Sequence, residues 1–135
     1  TFLSDEVQYA DATADRATTA MEAIMQTHPE GIAIICANNA DMAMAPARAA
    51  QGHDAYKNTI FLGFNGDRAA CEAILDGQMT MSVAQMAYEM GYKAVETMVQ
   101  VLDGETVDEF VDSGSDVVTP DNAQERLDTL KTQLH

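Results

Sequence analysis

Short apolar runs alternate with amphipathic helical patterns along the whole chain, and that alternation admits few folds. The clearest run is Gly31-Ile-Ala-Ile-Ile-Cys36. An unbroken apolar stretch from Ile32 to Ala37 suits a parallel strand buried on both faces. Thr59 to Phe64 and Met79 to Ala84 have the same character, and Val7 to Ala10 is a weaker first strand. Helices are expected over Asp15 to Thr27, Asn39 to Gln51, Asp67 to Asp76 and Ala87 to Leu102. The first puts Ala17, Ala20, Met21, Ile24 and Met25 on one face; the last aligns Met90, Ala94, Met98 and Val101. Thr13 or Asp11 can cap the first helix, and His28-Pro29 ends it. Gly52, Gly77 and Gly104 close the other three, and Pro46 should kink or shorten the second. A weak extended stretch, Phe110 to Val118, precedes a final helix. Thr119 would cap it, Pro120 would open it, and Leu127, Leu130 and Leu134 would form its stripe. The expected architecture is α/β in three layers, a parallel sheet with helices on both faces, without a linker or internal repeat.

Composition narrows the function classes. The 135 residues include 47% hydrophobic side chains, enough for one domain with a core. Seven basic against 22 acidic residues leave a net charge of −15. Such a surface repels nucleic acid and anionic membrane, so neither is an expected partner. The two cysteines match no disulfide framework or zinc spacing, and Cys36 is expected as a small buried hydrophobe in its strand. The nine methionines fall mostly at helical core spacing and serve as gap-filling core residues rather than metal ligands. No apolar run approaches the length of a membrane span. Thr1 suggests the start of a processed or truncated chain.

Polar residues gather where strands hand over to helices. Asn38, Asn39 and Asp41 follow the second strand, Asn65, Gly66 and Asp67 the third, and Gln85 the fourth. In a parallel sheet these ends share one edge, the place where open α/β sheets bind ligands. Asn39, Asn65 and Gln85 would line a cleft with amides, which donate and accept without charge and so suit a neutral polyol or sugar. Each also has a plain structural role available, as a helix cap or an exposed strand end. No nucleophile–base pair accompanies them. His28, His53 and His135 lie elsewhere, no serine sits in a nucleophile elbow, and Gly63-Phe-Asn-Gly66 is too short for a dinucleotide fingerprint. Asp41 and Asp67 could hold a metal or act as a base, but more simply they favour the positive ends of the helices they begin. No catalytic residue, metal or cofactor is expected.

Several pieces together resemble a known family. Ala10-Asp11 through Arg16, Thr27-His-Pro29, Ala37-Asn-Asn-Ala-Asp-Met-Ala43, Leu62-Gly-Phe-Asn-Gly66, Asp76-Gly77, Val83-Ala-Gln85, Tyr88-Glu-Met-Gly-Tyr92 and Val117-Val-Thr-Pro-Asp-Asn122 occur in order and spacing. The chain resembles the C-terminal part of a type I periplasmic sugar-binding protein of the ribose- and galactose-binding kind. The resemblance implies a flavodoxin-like lobe and a solute-binding component of an ABC-type carbohydrate transporter. It implies a small neutral carbohydrate as ligand, a membrane permease as partner of the full-length protein, and a periplasmic or lipid-anchored extracellular location. Asn39 falls where the family bonds sugar hydroxyls, Asn65 where it usually has an Asp, and Gln85 at a polar contact near the hinge. Ala12 falls where ribose-binding members place a stacking aromatic, and Ala45-Pro46 where Gly-Ala is common. Asn38, Asp41, Asp67 and Ala12 are further candidates for ligand contact.

By the same resemblance, residues 1–135 form a partial sugar-binding domain, mostly the C-terminal lobe, and residues 86–104 would cross to a missing lobe. The apolar face of that segment would fold back on the sheet or dock on a second copy, and a swapped homodimer is the expected solution. Two other readings stay open: the effector domain of a lac-repressor-family regulator, which shares the fold, and a flavodoxin-like enzyme or signalling domain.

Overall fold

The computed structural model describes residues 3–133. Five α-helices, α1 (Ala14–Thr27), α2 (Ala40–Ala49), α3 (Arg68–Leu75), α4 (Ala87–Leu102) and α5 (Ala123–Gln133), accompany four strands. The strands β1 (Ile34–Cys36), β2 (Ile60–Asn65), β3 (Met81–Gln85) and β4 (Ser115–Val118) lie side by side in chain order. β1–β2 and β2–β3 pair in parallel and β3–β4 antiparallel, so the sheet is mostly parallel. This is the expected α/β class.

The apolar pattern explains the packing. Phe61, Gly63, Ser82, Ala84 and Val118 point to one side of the sheet and are buried. On that side Met21 of α1, Ala43, Met44 and Ala47 of α2, Cys71 and Ile74 of α3, and Ala123 and Leu127 of α5 join them in one core. Alanine dominates the helical contribution, so the helices can approach the sheet closely. The opposite side carries Ile34, Ile60, Phe64 and Val117, which are 51%, 39%, 37% and 44% exposed. The described residues therefore cover one sheet face with helices and leave the other apolar face open. Cys36 shares that open face and is exposed, contrary to its expected burial.

Four local expectations also change. Val7 to Ala10 forms no strand; Ser4–Glu6 make a single 3-10 turn and the chain then runs irregularly to Ala10. With so short an apolar run and no adjacent strand among the described residues, nothing there offers a ladder of hydrogen bonds. Thr13 precedes α1, but its hydroxyl donates back to the Ala10 carbonyl rather than capping the helix. Pro46 sits buried inside α2, which ends three residues later at Ala49. Thr119 and Pro120 do not open α5. The Asn122 side chain accepts from the Thr119 amide at 2.8 Å and donates to the Val117 carbonyl at 2.9 Å, which holds a turn and delays the helix to Ala123. Leu134 lies outside the described residues.

The helix α4 has the expected bounds and no buried residue. Met90, Met98 and Val101 are 44%, 58% and 49% exposed, so its apolar face does not fold back on the sheet. Its described ties are few; Lys93 Nζ donates to the Asp112 carbonyl at 2.6 Å. Met21→Ala, at a side chain 1% exposed, is expected to cost about 2–5 kcal/mol. Met98→Ala should stay within about 0.5 kcal/mol in the same 135-residue chain, as for an exposed site. Urea unfolding of the two variants checks the contrast.

His28 clasps the N-terminal segment at the other end of α1. Its Nε2 lies 2.6 Å from Glu6 Oε2 and its Nδ1 lies 3.3 Å from Glu30 Oε1, while Tyr56 donates its hydroxyl to the His28 carbonyl at 2.7 Å. The bond to Glu6, then that to Glu30, raises the imidazole pKa. A raised histidine contributes fully below its unfolded pKa, about 6.5, and loses that contribution as pH rises through the folded value. Glu30 is lowered, first by its own backbone and then by His28, so its contribution is lost as pH falls through its folded value. The unfolding midpoint is therefore expected to be highest between roughly pH 4.5 and 6.5 and to decline at higher pH as His28 loses its proton. The alkaline decline should flatten in His28→Gln.

Candidate functional site

The parallel register brings the three amide junctions to one sheet edge. Cys36 pairs with Leu62, and Asn65 with Ala84. The Ala37 amide donates to the Leu62 carbonyl at 2.9 Å, so Asn38 and Asn39 leave β1 at the edge where β2 and β3 also end. At that edge Gln85 Nε2 donates to Asn65 Oδ1 at 2.8 Å. The two side chains, both half-buried, form one amide platform from two strands. Asn39 Oδ1 accepts from the Met42 amide at 2.8 Å, capping α2. That bond uses one acceptor site of the oxygen and leaves the NH2 group outside the cap.

The remaining candidates divide by position. Asn38 is exposed in the bend before α2, and Asp41 is exposed in the first turn of that helix. Asp67 caps α3 by accepting from the Ala70 amide at 2.9 Å. Ala12 lies with Asp11 in a turn of positive φ, 58° and 46°, closed by the Thr13 amide on the Ala10 carbonyl. Ala10 packs with Ala17, Ala45 and Met42, so this turn sits beside the N-terminal half of α2. Among the described residues, no group of three or more His, Cys, Asp or Glu stands together as a metal site.

Gly66 holds the platform in shape. It follows Asn65, whose φ of 99° is unusual for a side chain that is not glycine. Its own φ is 59°, and a Cβ there would stand 2.6 Å from Ala84 Cα and closer still to Ala84 Cβ. The Gly66 amide donates to the buried Ser82 hydroxyl at 3.1 Å. Its carbonyl accepts from Arg126 Nε at 3.3 Å, and a second guanidinium nitrogen donates to the Gln85 carbonyl at 2.9 Å. Neither Ser82 nor Arg126 stood out in the sequence. Ser82 had a signal, a polar residue in strand alternation on the buried side; Arg126 had none, because its partners lie 60 and 41 residues away.

The three amides give the edge neutral hydrogen-bonding groups. It offers donors and acceptors at half-buried positions and an open approach. A groove of about 300 Å³ opens at the other end of the sheet, lined by Gly52, His53, Lys57 and Thr80, and contains none of the amides. Among the described residues, no helix is long and apolar enough to cross a membrane.

Comparison with known proteins agrees with this architecture. Residues 2–106 match a family model described as a periplasmic binding protein domain. The ribose import binding protein RbsB of Escherichia coli is 33% identical over 101 residues, covering 74% of this chain and 33% of that protein. A solved ABC transporter solute-binding protein from Mycobacterium smegmatis with bound glycerol is 31% identical, with a TM-score of 0.73 over 87% of this chain and 40% of the other. A Bacillus halodurans solute-binding protein with bound myo-inositol is 27% identical, with a TM-score of 0.73 over 86% of this chain and 40% of the other. The chain belongs to the periplasmic binding protein family, with the fold of the type I members. It spans about a third of the length of the curated relatives it matches.

Gly66→Ala is expected to destabilise the chain by about 2–4 kcal/mol, since it adds both a positive-φ penalty and a collision with Ala84. Gly77→Ala, at φ 70° with open space around it, should cost only about 1 kcal/mol. Parallel urea titrations separate the two.

Proposed function

We propose that this chain is the larger part of one lobe of a solute-binding protein serving ABC-type carbohydrate uptake. The observation that carries the reading is the Gln85–Asn65 amide pair at the sheet edge where three parallel strands end. A neutral sugar or polyol would meet that pair, with Asn39 contributing its NH2 group. Asn38, Asp41, Asp67 and Ala12 would be lesser contacts. The glycerol and myo-inositol bound in the similar solved proteins are small, neutral and polyhydroxylated, which suits an uncharged amide surface. The ligand role is recognition rather than reaction.

The same reading supplies the partners. A membrane permease would receive the ligand from the full-length protein, in the periplasm or at the outer face of a cell through a lipid anchor. Residues 86–104 would cross to a second lobe, and that lobe would cover the exposed apolar face of α4. The greater length of the relatives favours the lobe over a second copy of the chain as occupant, and the homodimer gains no support from the comparisons. The relatives' names also favour a transport component over a transcriptional regulator.

Calorimetry on the full-length gene product with D-ribose, glycerol and myo-inositol tests the proposal. At least one should bind, and Gln85→Ala or Asn39→Ala should weaken it by roughly 1–3 kcal/mol, the cost of an unmade hydrogen bond in a closed site. The 135-residue chain alone should bind weakly or not at all, since one lobe leaves half of the ligand in water. Unchanged affinity in both variants would remove the amide site; micromolar binding by the chain alone would remove the two-lobe arrangement.

A further inference from the structure

We propose that Arg126 is a positioning residue for the amide site, fixing from behind the two junctions that present Asn65 and Gln85; this rests on the ligand reading above. Arg126 lies on α5, outside the matched residues 2–106. Its guanidinium spans both junctions at once: Nε donates to the Gly66 carbonyl at 3.3 Å and Nη2 to the Gln85 carbonyl at 2.9 Å. Nη1 lies 3.6 Å from Met86 Sδ. The two carbonyls belong to the residue after Asn65 and to Gln85 itself, so the fork sets the spacing of the strand ends whose side chains meet at 2.8 Å.

The approach of Arg126 is fixed by its own supports. Asn122 ties the start of α5 to Val117 and Thr119, and Ala123 and Leu127, 0% and 7% exposed, seat the helix in the core with α3. The side chain is half-buried, where a charge-assisted bond to a carbonyl is stronger than in open water. A planar fork holds the two carbonyls at a set separation, a rigidity that a lysine ammonium on its flexible stem lacks. On the other side of the same peptide, Ser82 accepts the Gly66 amide. The Gly66 peptide is thus gripped at both its N–H and its C=O, and Arg126 is the grip that also reaches Gln85.

The test is a double-mutant cycle in the full-length gene product, read by calorimetry with D-ribose, glycerol and myo-inositol, beside hydrogen exchange of peptides covering 64–68 and 84–88. Arg126→Ala is expected to weaken binding about tenfold, and Arg126→Lys to recover only part of it. In a Gln85→Ala background the same substitution should change affinity less than about twofold, because the residue acts through Gln85 and Asn65. Exchange should quicken at the two junctions and stay unchanged in the middle of β2 and β3. Equal losses in both backgrounds, with junction exchange unaltered, would overturn the proposal. If Arg126→Ala fails to fold, Arg126→Lys carries the same cycle. If the wild-type protein binds none of the three compounds, the ligand reading fails on its own, and the exchange result still decides the positioning role: faster exchange confined to the junctions supports it, and unchanged exchange ends it.

Discussion

The contact between Gly66 and Ala84 is the constraint on which the site edge depends. With no side chain at Gly66, the β2 end can turn back against β3 within a distance that a Cβ would close. That approach is what lets Ser82 accept the Gly66 amide and lets Asn65, at its unusual φ, turn its amide to Gln85. The backbone groups freed by the sharp turn are satisfied by Ser82 and Arg126 rather than by water. Several ties thus act together on one peptide, which is how an uncommon backbone conformation persists.

A second constraint is the one-sided core. The described helices that join the core do so on the Phe61 and Ala84 side, while Ile34, Ile60, Phe64 and Val117 remain on an open face. The face of α4 is likewise uncovered, with no buried residue. Hydrophobic burial is the dominant favourable term in folding. Here that burial is one-sided, and the open sheet face and α4 keep large apolar side chains exposed up to the amide edge, where Phe64 precedes Asn65 and α4 starts at Ala87.

What could be learned from the sequence follows from how local each signal is. The bounds of α4 were legible to the residue, because its periodicity and Gly104 are contained in the segment itself. β2, β3, α1 and α3 came within a residue or two for the same reason, and the three amide junctions followed from the strand–helix order alone. The burial of Cys36 was misjudged because an apolar run does not say whether both sheet faces are covered. The Thr119-Pro120 start was displaced by a side chain three residues on, Asn122, whose bonds to Thr119 and Val117 make a better local turn than a helix cap would. The antiparallel entry of β4 and the reach of Arg126 depend on where α5 docks, which is decided by contacts between residues far apart in the chain.

An amide at position 65 behaves differently from a carboxylate in the same place. A carboxylate at position 65 would accept from Gln85 and from a sugar hydroxyl, but it would add a buried negative charge to a chain already at −15. Asn65 accepts from Gln85 through its oxygen and keeps an NH2 group that can donate, where a carboxylate would offer only acceptors. The pair also satisfies part of its own hydrogen-bonding capacity before any ligand arrives. Any group that bonded the pair would add to an existing bond rather than organise two loose side chains, since the entropy of ordering them is already spent in folding. The selectivity of such a surface lies in spacing, and spacing is what the backbone ties at Gly66 and Gln85 hold constant.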